Sequence, residues 1–217
     1  MIYIVLDIET IAHPDAHLWV DDVKPDGRLK DPEKIAADII EKNIERDKTF
    51  ALHPDTNLIV ALGYHIIGHS DDPHCLLMRD AFEAKELLRS FWEEYRALDR
   101  RQEVRFVTFN GLTFDIPTLL SNSLWLDVEA PNVETDKYRS PHAEFDVMWR
   151  LSRKGVVKPH SLKFYAKRAG LPLLDKVNGS EIAQMVKDED WTGIEAHCMS
   201  DVGLTHALAN RLKLLRM

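Results

Sequence analysis

Ile2-Tyr3-Ile4-Val5-Leu6-Asp7-Ile8-Glu9-Thr10 decides how this chain reads. An apolar run rich in β-branched residues ends abruptly in acid. A run of that kind predicts a buried strand over 2–6. Asp7 and Glu9 are two apart, so on a strand both carboxylates leave the same face. Alone, an Asp-x-Glu pair is an ordinary surface feature. It gains weight from two further acidic islands. Phe109-Asn110-Gly111-Leu112-Thr113-Phe114-Asp115 lies midway, and His197-Cys198-Met199-Ser200-Asp201 lies near the C-terminus. Asp115 also reads as a helix N-cap. His197 and Asp201, four apart on a predicted helix, share a face and also read as a surface pair. Four carboxylates drawn together cost energy unless a cation neutralises them. Two divalent ions about 4 Å apart can activate water and stabilise the leaving oxygen of a phosphodiester.

The remaining elements follow from periodicity and punctuation. Asp31-Pro32-Glu33 is a helix start, with an acid cap and Pro at the first position. Ile35, Ile39, Ile40 and Ile44 carry that helix to about Lys48. Strands are predicted over 58–67 and 74–78, as a hairpin across the 68–73 turn. An amphipathic helix covers 82–100, and a fourth strand covers 104–109. A helix starts at Asp115 and runs through Leu120. The 161–169 helix ends at Gly170, a C-cap signal. Ser180 is expected to cap a helix through Lys187, and a long helix fills 191–215. This order predicts one α/β domain over 1–217, a mixed sheet flanked by helices.

Composition narrows the class. The chain has 217 residues and a net charge of −8, which argues against non-specific coating of nucleic acid. Yet 149–170 carries Arg150, Arg153, Lys154, Lys158, Lys163, Lys167 and Arg168 with no Asp or Glu. That stretch reads as a solvated helix face or as a phosphate-facing strip, and the missing acid favours the strip. No apolar run is long enough to cross a membrane, and the start lacks the marks of a signal peptide. Cys75 and Cys198 are far apart in sequence and read as buried free thiols, so the cytoplasm is the expected location. His65, His69, His74 and Cys75 in a strand–turn–strand context read as scattered surface groups rather than a zinc site. Trp19, Trp92 and Trp125 are expected in the core. Asp146 is expected in a loop or as a helix cap.

Together, the three islands resemble the motifs of the DEDD superfamily of 3′–5′ exonucleases, which have a ribonuclease-H-like fold. Within that superfamily the chain looks like the proofreading exonuclease domain of family-B DNA polymerases and related stand-alone proteins. Asp7-Ile8-Glu9-Thr10 resembles the first motif. Asn110 to Asp115, followed by Ile116-Pro117, resembles Asn-x-x-x-Phe-Asp-x-Pro. His197 to Asp201 is similar to Tyr-Cys-x-x-Asp. The resemblance implies that Asp7, Glu9 and Asp201 hold one Mg2+ or Mn2+. Asp7 would bridge to a second ion, with Asp115 contributing through water. It implies removal of nucleoside 5′-monophosphates from the 3′ ends of single-stranded DNA. Backbone groups at Thr10 and Ile11 would meet the terminal nucleotide, Asn110 and Phe114 the strand, and Lys163 a phosphate. His197 stands where the family has Tyr, four residues before the last Asp; the histidine-type branch places His five before it. By resemblance His197 would orient the attacking water. Two alternatives stay open: an exoribonuclease, and a nucleic-acid-binding protein of the same fold without activity.

Overall fold

In the computed structural model, which describes residues 1–69, 72–98, 101–136 and 138–215, the N-terminal run is the strand β1, Ile2–Ala12. It extends well past the predicted end at residue 6, so Asp7 and Glu9 lie inside the strand. Pairing explains the extension. The strand β2, Asn57–Ile67, runs antiparallel to β1 and follows it to Ala12↔Asn57, with one register shift between Glu9 and Thr10. The strand β3, His74–Leu77, adds to β2 as the predicted hairpin. The strand β4, Val104–Val107, lies parallel to β1. The sheet order is β3-β2-β1-β4. Beyond Val107 the ladder shrinks to a single parallel bridge, Thr108↔Asp146.

Both faces of β1 are covered, which is why its apolar run has no polar break. Ile2, Ile4, Leu6 and Ile8 pack in one core with Leu88 and Trp92 of α2 (Ala81–Ala97) and with Ile116 and Leu119 of α3 (Asp115–Trp125). Tyr3 and Val5 point the other way. They pack with Leu162 and Ala166 of α5 (Leu162–Arg168) and with Val202 and Leu208 of α7 (Trp191–Arg211). Each Ile, Leu or Val among them contributes about 1.5–3 kcal/mol when fully buried. On the α7 face the same row continues into Asp7 and Glu9. The pairing partner of Asp7 is Gly63. A Cβ there would lie 2.7 Å from Cys198 Sγ and 3.0 Å from Val202 Cγ2, so glycine lets α7 sit directly on the sheet beside the acids.

The other elements refine the sequence reading. α1, Pro32–Ala51, is capped by Asp31, which accepts the Glu33 N–H. Ile40 and Ile44 on its stripe stay exposed. Its last residue meets β1, where Thr10 Oγ1 donates to the Ala51 carbonyl at 2.6 Å. α3 continues to Trp125 rather than stopping at Leu120. A short helix the sequence reading did not include, α4 (Val147–Leu151), is capped by Asp146. Ser180 is not the cap of the helix it was expected to start. It lies in a 3-10 turn, Gly179–Glu181, while Asn178 and Glu181 form the capping box ahead of α6 (Ile182–Lys187). Trp92 is in the core and donates to Ser123 Oγ at 2.8 Å. Trp19 and Trp125 are exposed, against expectation, and Trp19 packs its ring on His13. Among the described residues, no helix is long and apolar enough to cross a membrane.

Candidate active site

The acidic islands come from three elements, and each is held by local chemistry. β1 supplies Asp7 and Glu9. The turn after β4 sets Asp115. That turn needs Asn110 in the left-handed region, at φ 73°. It also needs Gly111, where a Cβ would come within 2.3 Å of the Thr108 side chain. The carboxylate of Asp146 anchors it by accepting the N–H groups of Asn110 (3.1 Å), Leu112 (3.2 Å) and Trp149 (3.0 Å). Asp115 is consequently the first residue of α3, and Phe114 takes the cap position. Its Oδ1 is free to accept the Ile8 N–H at 3.1 Å, which ties the second island to the first. From α7, His197, Cys198 and Asp201 face the sheet. Cys198 Sγ lies 3.6 Å from the Asp7 carbonyl.

The crowding shifts the acids' electrostatics. Burial first, then repulsion from Glu9, Asp115 and Asp201, holds the Asp7 carboxyl well above its usual range. Glu9 is pushed up to about 8 by burial, then by Asp201 and Asp115. Asp115 is pushed up to about 8 by burial and by Asp146. Burial raises Asp201 as well, against the opposing pull of His197 and Lys163. Among the described residues, Asp201 Oδ1 is buried with no hydrogen-bond partner. Four carboxyls in one place, with an orphaned oxygen among them, are a donor set that fits hard divalent cations. Ligand atoms of Asp7, Glu9 and Cys198 lie within 4.8 Å of one another, as do those of Asp175, His197 and Asp201. These clusters can hold metal.

A family model described as a predicted 3′–5′ exonuclease related to the exonuclease domain of PolB matches residues 66–217. The chain belongs to this exonuclease family. Its mixed sheet flanked by helices is the ribonuclease-H-like α/β fold expected from the motifs. Asp115, His197 and Asp201 lie inside the matched segment, whereas Asp7 and Glu9 precede it and join the site through the pairing of β1. No curated protein matches the chain.

Other expected residues of the exonuclease site divide into two groups. Thr10 and Ile11 sit on β1 just beyond Glu9 and are partly exposed, as are Asn110 and Phe114. The Asn110 side chain is engaged locally, accepting the Thr113 hydroxyl at 2.6 Å. Lys163 is more enclosed than a free phosphate ligand. Its ammonium donates to Asp175 at 3.0 Å and to the Val177 carbonyl. Of the basic strip, Arg150 and Lys154 pair with Glu144, which lies just ahead of it. Arg153, Lys158, Lys167 and Arg168 remain exposed. The histidines of the β2–β3 hairpin enter neither metal-type cluster, and His65 lies edge-on to His206. The two cysteines do meet: a hydrogen bond with Cys75, then burial, raises the Cys198 thiol. Both are free thiols.

Asp175 is the residue the sequence reading missed. Its Oδ2 lies 2.7 Å from His197 Nδ1, and its Oδ1 accepts the Val177 N–H at 2.9 Å. His197 Nε2 stands 3.3 Å from Glu9 Oε1. Burial pushes Asp175 up, but the bonds from Val177, His197 and Lys163 outweigh it and hold the carboxyl below its ordinary value. An open cavity of about 790 Å³ begins beside Asp175 and runs along α7 past Met199, Ser200 and Leu204.

Proposed function

We propose that the chain is a metal-dependent 3′–5′ exonuclease that removes nucleoside 5′-monophosphates from single-stranded DNA ends. What carries the reading is the gathering of Asp7, Glu9, Asp115 and Asp201 into one partly buried cluster whose carboxyls all sit above their ordinary range. Asp7, Glu9 and Asp201 would hold one Mg2+ or Mn2+, and Asp7 with Asp115 a second. When bound, such ions activate a water and stabilise the leaving oxygen of the phosphodiester. The chain's own part is placement. Asp115 is fixed against β1 by the Ile8 N–H, and Glu9 is held from behind by His197. In this arrangement both His197 ring nitrogens face carboxylates, so its contribution runs through Glu9 rather than through direct contact with the attacking water.

By the family resemblance, backbone groups at Thr10 and Ile11 would meet the terminal nucleotide, and Asn110 and Phe114 would contact the strand, Phe114 by packing on a base. Lys163 serves the site through Asp175, and the exposed Arg153, Lys158, Lys167 and Arg168 offer the strand its phosphate contacts. A single domain over 1–217 acting in the cytoplasm belongs to the same proposal. The test is cleavage of a 5′-labelled single-stranded DNA oligonucleotide, beside its RNA counterpart, with Mg2+, with Mn2+ and with chelator. A metal-dependent ladder shortening one nucleotide at a time from the 3′ end of DNA supports the reading. Preferential trimming of RNA moves the substrate to RNA. No cleavage of either by folded protein refutes it.

A further inference from the structure

We infer that Asp175 is a positioning residue of the site, acting through His197 to aim the carboxylate of Glu9. The inference rests on the metal-site reading above and goes beyond the four carboxylates and the histidine of the motifs. Four observations converge on Asp175. It sits in the segment between α5 and α6, outside all three acidic islands. Its Oδ1 is locked by its own backbone turn, through the Val177 N–H at 2.9 Å. Its Oδ2 receives Lys163 from α5 at 3.0 Å and meets His197 Nδ1 of α7 at 2.7 Å. The opposite ring nitrogen of His197 reaches Glu9 Oε1 of β1 at 3.3 Å. A chain Lys163–Asp175–His197–Glu9 thus ties two helices and a loop to one carboxylate of the metal cluster.

The chemistry of this chain is orientation. An imidazole ring buried between helix and sheet has two faces it can present, related by a flip. A fixed acceptor on Nδ1 selects one orientation and points Nε2 at Glu9. Glu9 has a long side chain with three rotatable torsions, and holding one of its oxygens restricts where the other can go. Partners behind a metal ligand typically change metal affinity or activity 10–100-fold when removed. Lys163 answers the charge of Asp175, so the chain can be buried without leaving a carboxylate unpaired. Asp175 itself need not touch the nucleic acid strand or the ions.

The experiment uses the full chain with Asp175→Ala and, as an isosteric second variant, Asp175→Asn. Three readouts separate positioning from bulk stability. Mn2+ alone is titrated by calorimetry, the imidazole protons and nitrogens of His197 are followed by NMR, and kcat and KM are measured on a single-stranded DNA oligonucleotide. Asp175→Ala is expected to raise the half-saturating Mn2+ concentration about 10-fold or more. It should also abolish the downfield Nδ1 proton signal of His197, and lower kcat while KM stays near the wild-type value. Asp175→Asn, which keeps an acceptor oxygen, should lie between. Variants that fold and retain wild-type Mn2+ affinity, ring signals and kcat overturn the inference. A wild-type protein that binds no Mn2+ refutes the metal site itself. The NMR arm then still decides whether Asp175 orients His197, because an unchanged ring signal in both variants would remove that link too.

Discussion

Asp115→Asn should make the metal-free protein more stable and the enzyme inactive. Asp115 is buried, and in the absence of metal its carboxyl is pushed up to about 8 from an ordinary 3.8. A folded-state pKa raised above the unfolded one contributes stability that is full below the unfolded value and is lost as pH rises toward the folded value. At pH 7 the folded chain keeps a proton that the unfolded chain has released, at a cost of about 4 kcal/mol; at pH 5 the cost is about 2 kcal/mol. Asparagine keeps the shape and the oxygen that accepts the Ile8 N–H, and it carries no titrating charge. Burying its amide with incomplete partners returns about 2 kcal/mol of that gain. The expected net effect is about 2 kcal/mol of stabilisation at pH 7, an increase in melting temperature of about 4–8 °C for a chain of this length, and close to none at pH 5. The assay is thermal melting in EDTA at both pH values, followed by the same melts with Mn2+. The variant should lose most of the Mn2+ increment expected of the wild type. A variant that melts no higher than wild type at pH 7, or gains equally at pH 5 and pH 7, refutes the claim that Asp115 is held under electrostatic stress.

Four further outcomes are expected. Asp7→Ala or Asp201→Ala should reduce cleavage by about a thousandfold or more while the protein stays folded, since in the proposed mechanism several kcal/mol of transition-state stabilisation would pass through the ions; full activity in either purified variant contradicts the site. In EDTA the wild-type melting temperature should fall as pH rises from 5 toward 8, because the Glu9 and Asp115 carboxyls are pushed up to about 8, and the Mn2+ increment should grow across the same window. Gly63→Ala puts a methyl against Cys198 and Val202 and should cost about 1–3 kcal/mol in urea denaturation, together with weaker Mn2+ binding as α7 lifts from the sheet; an unchanged denaturation midpoint would show that α7 gives way freely. Asp146→Ala strips three N–H donors of their common acceptor and should destabilise by about 2–4 kcal/mol, with loss of cleavage because Asp115 is no longer set.

The parts of the molecule that local sequence rules govern were readable in advance. The strands of the hairpin, the Asp31 cap, the long C-terminal helix and the three acidic islands all depend on residues adjacent in the chain. Those that depend on distant pairing were not. β1 continues past its acids because β2 runs beside it to Ala12, and nothing within residues 7–12 announces that partner. Asp146 reads in sequence as a loop residue or a helix cap and is a cap, but its second task, clamping the Asn110–Gly111 turn, needs Thr108 and Asp146 to meet. Asp175 escaped notice because it stands alone between Leu174 and Lys176, with no neighbouring acid or histidine to mark it. Its partners lie 12 and 22 positions away in the chain. The helical or apolar neighbours of Trp19 and Trp125 point to the core, but such neighbours do not place a side chain that sits at a helix end or turn facing solvent.

One row of side chains links folding to the proposed chemistry. On the α7 face of β1 the order is Tyr3, Val5, Asp7, Glu9, so the packing that seats α7 at one end of the strand delivers its carboxylate and histidine to the acids at the other. Gly63 brings the helix close, and Cys198 fills the space beside Asp7. The closeness has a cost in the metal-free protein, since each acid is raised by burial and most by their neighbours. Ions that bind the ionised carboxylates remove that cost and add their own binding energy to folding. At this cluster the stress falls where a cation can relieve it. Tyr3 and Val5, deeper on the same row, keep the strand and α7 together whether or not metal is bound. Replacing Val5 by alanine should thus lower melting temperature equally with and without Mn2+, by about 2–4 °C for each kcal/mol lost from the core. A Val5→Ala protein that melts like wild type once Mn2+ is added would show that the ions, and not the apolar row, hold α7 in place.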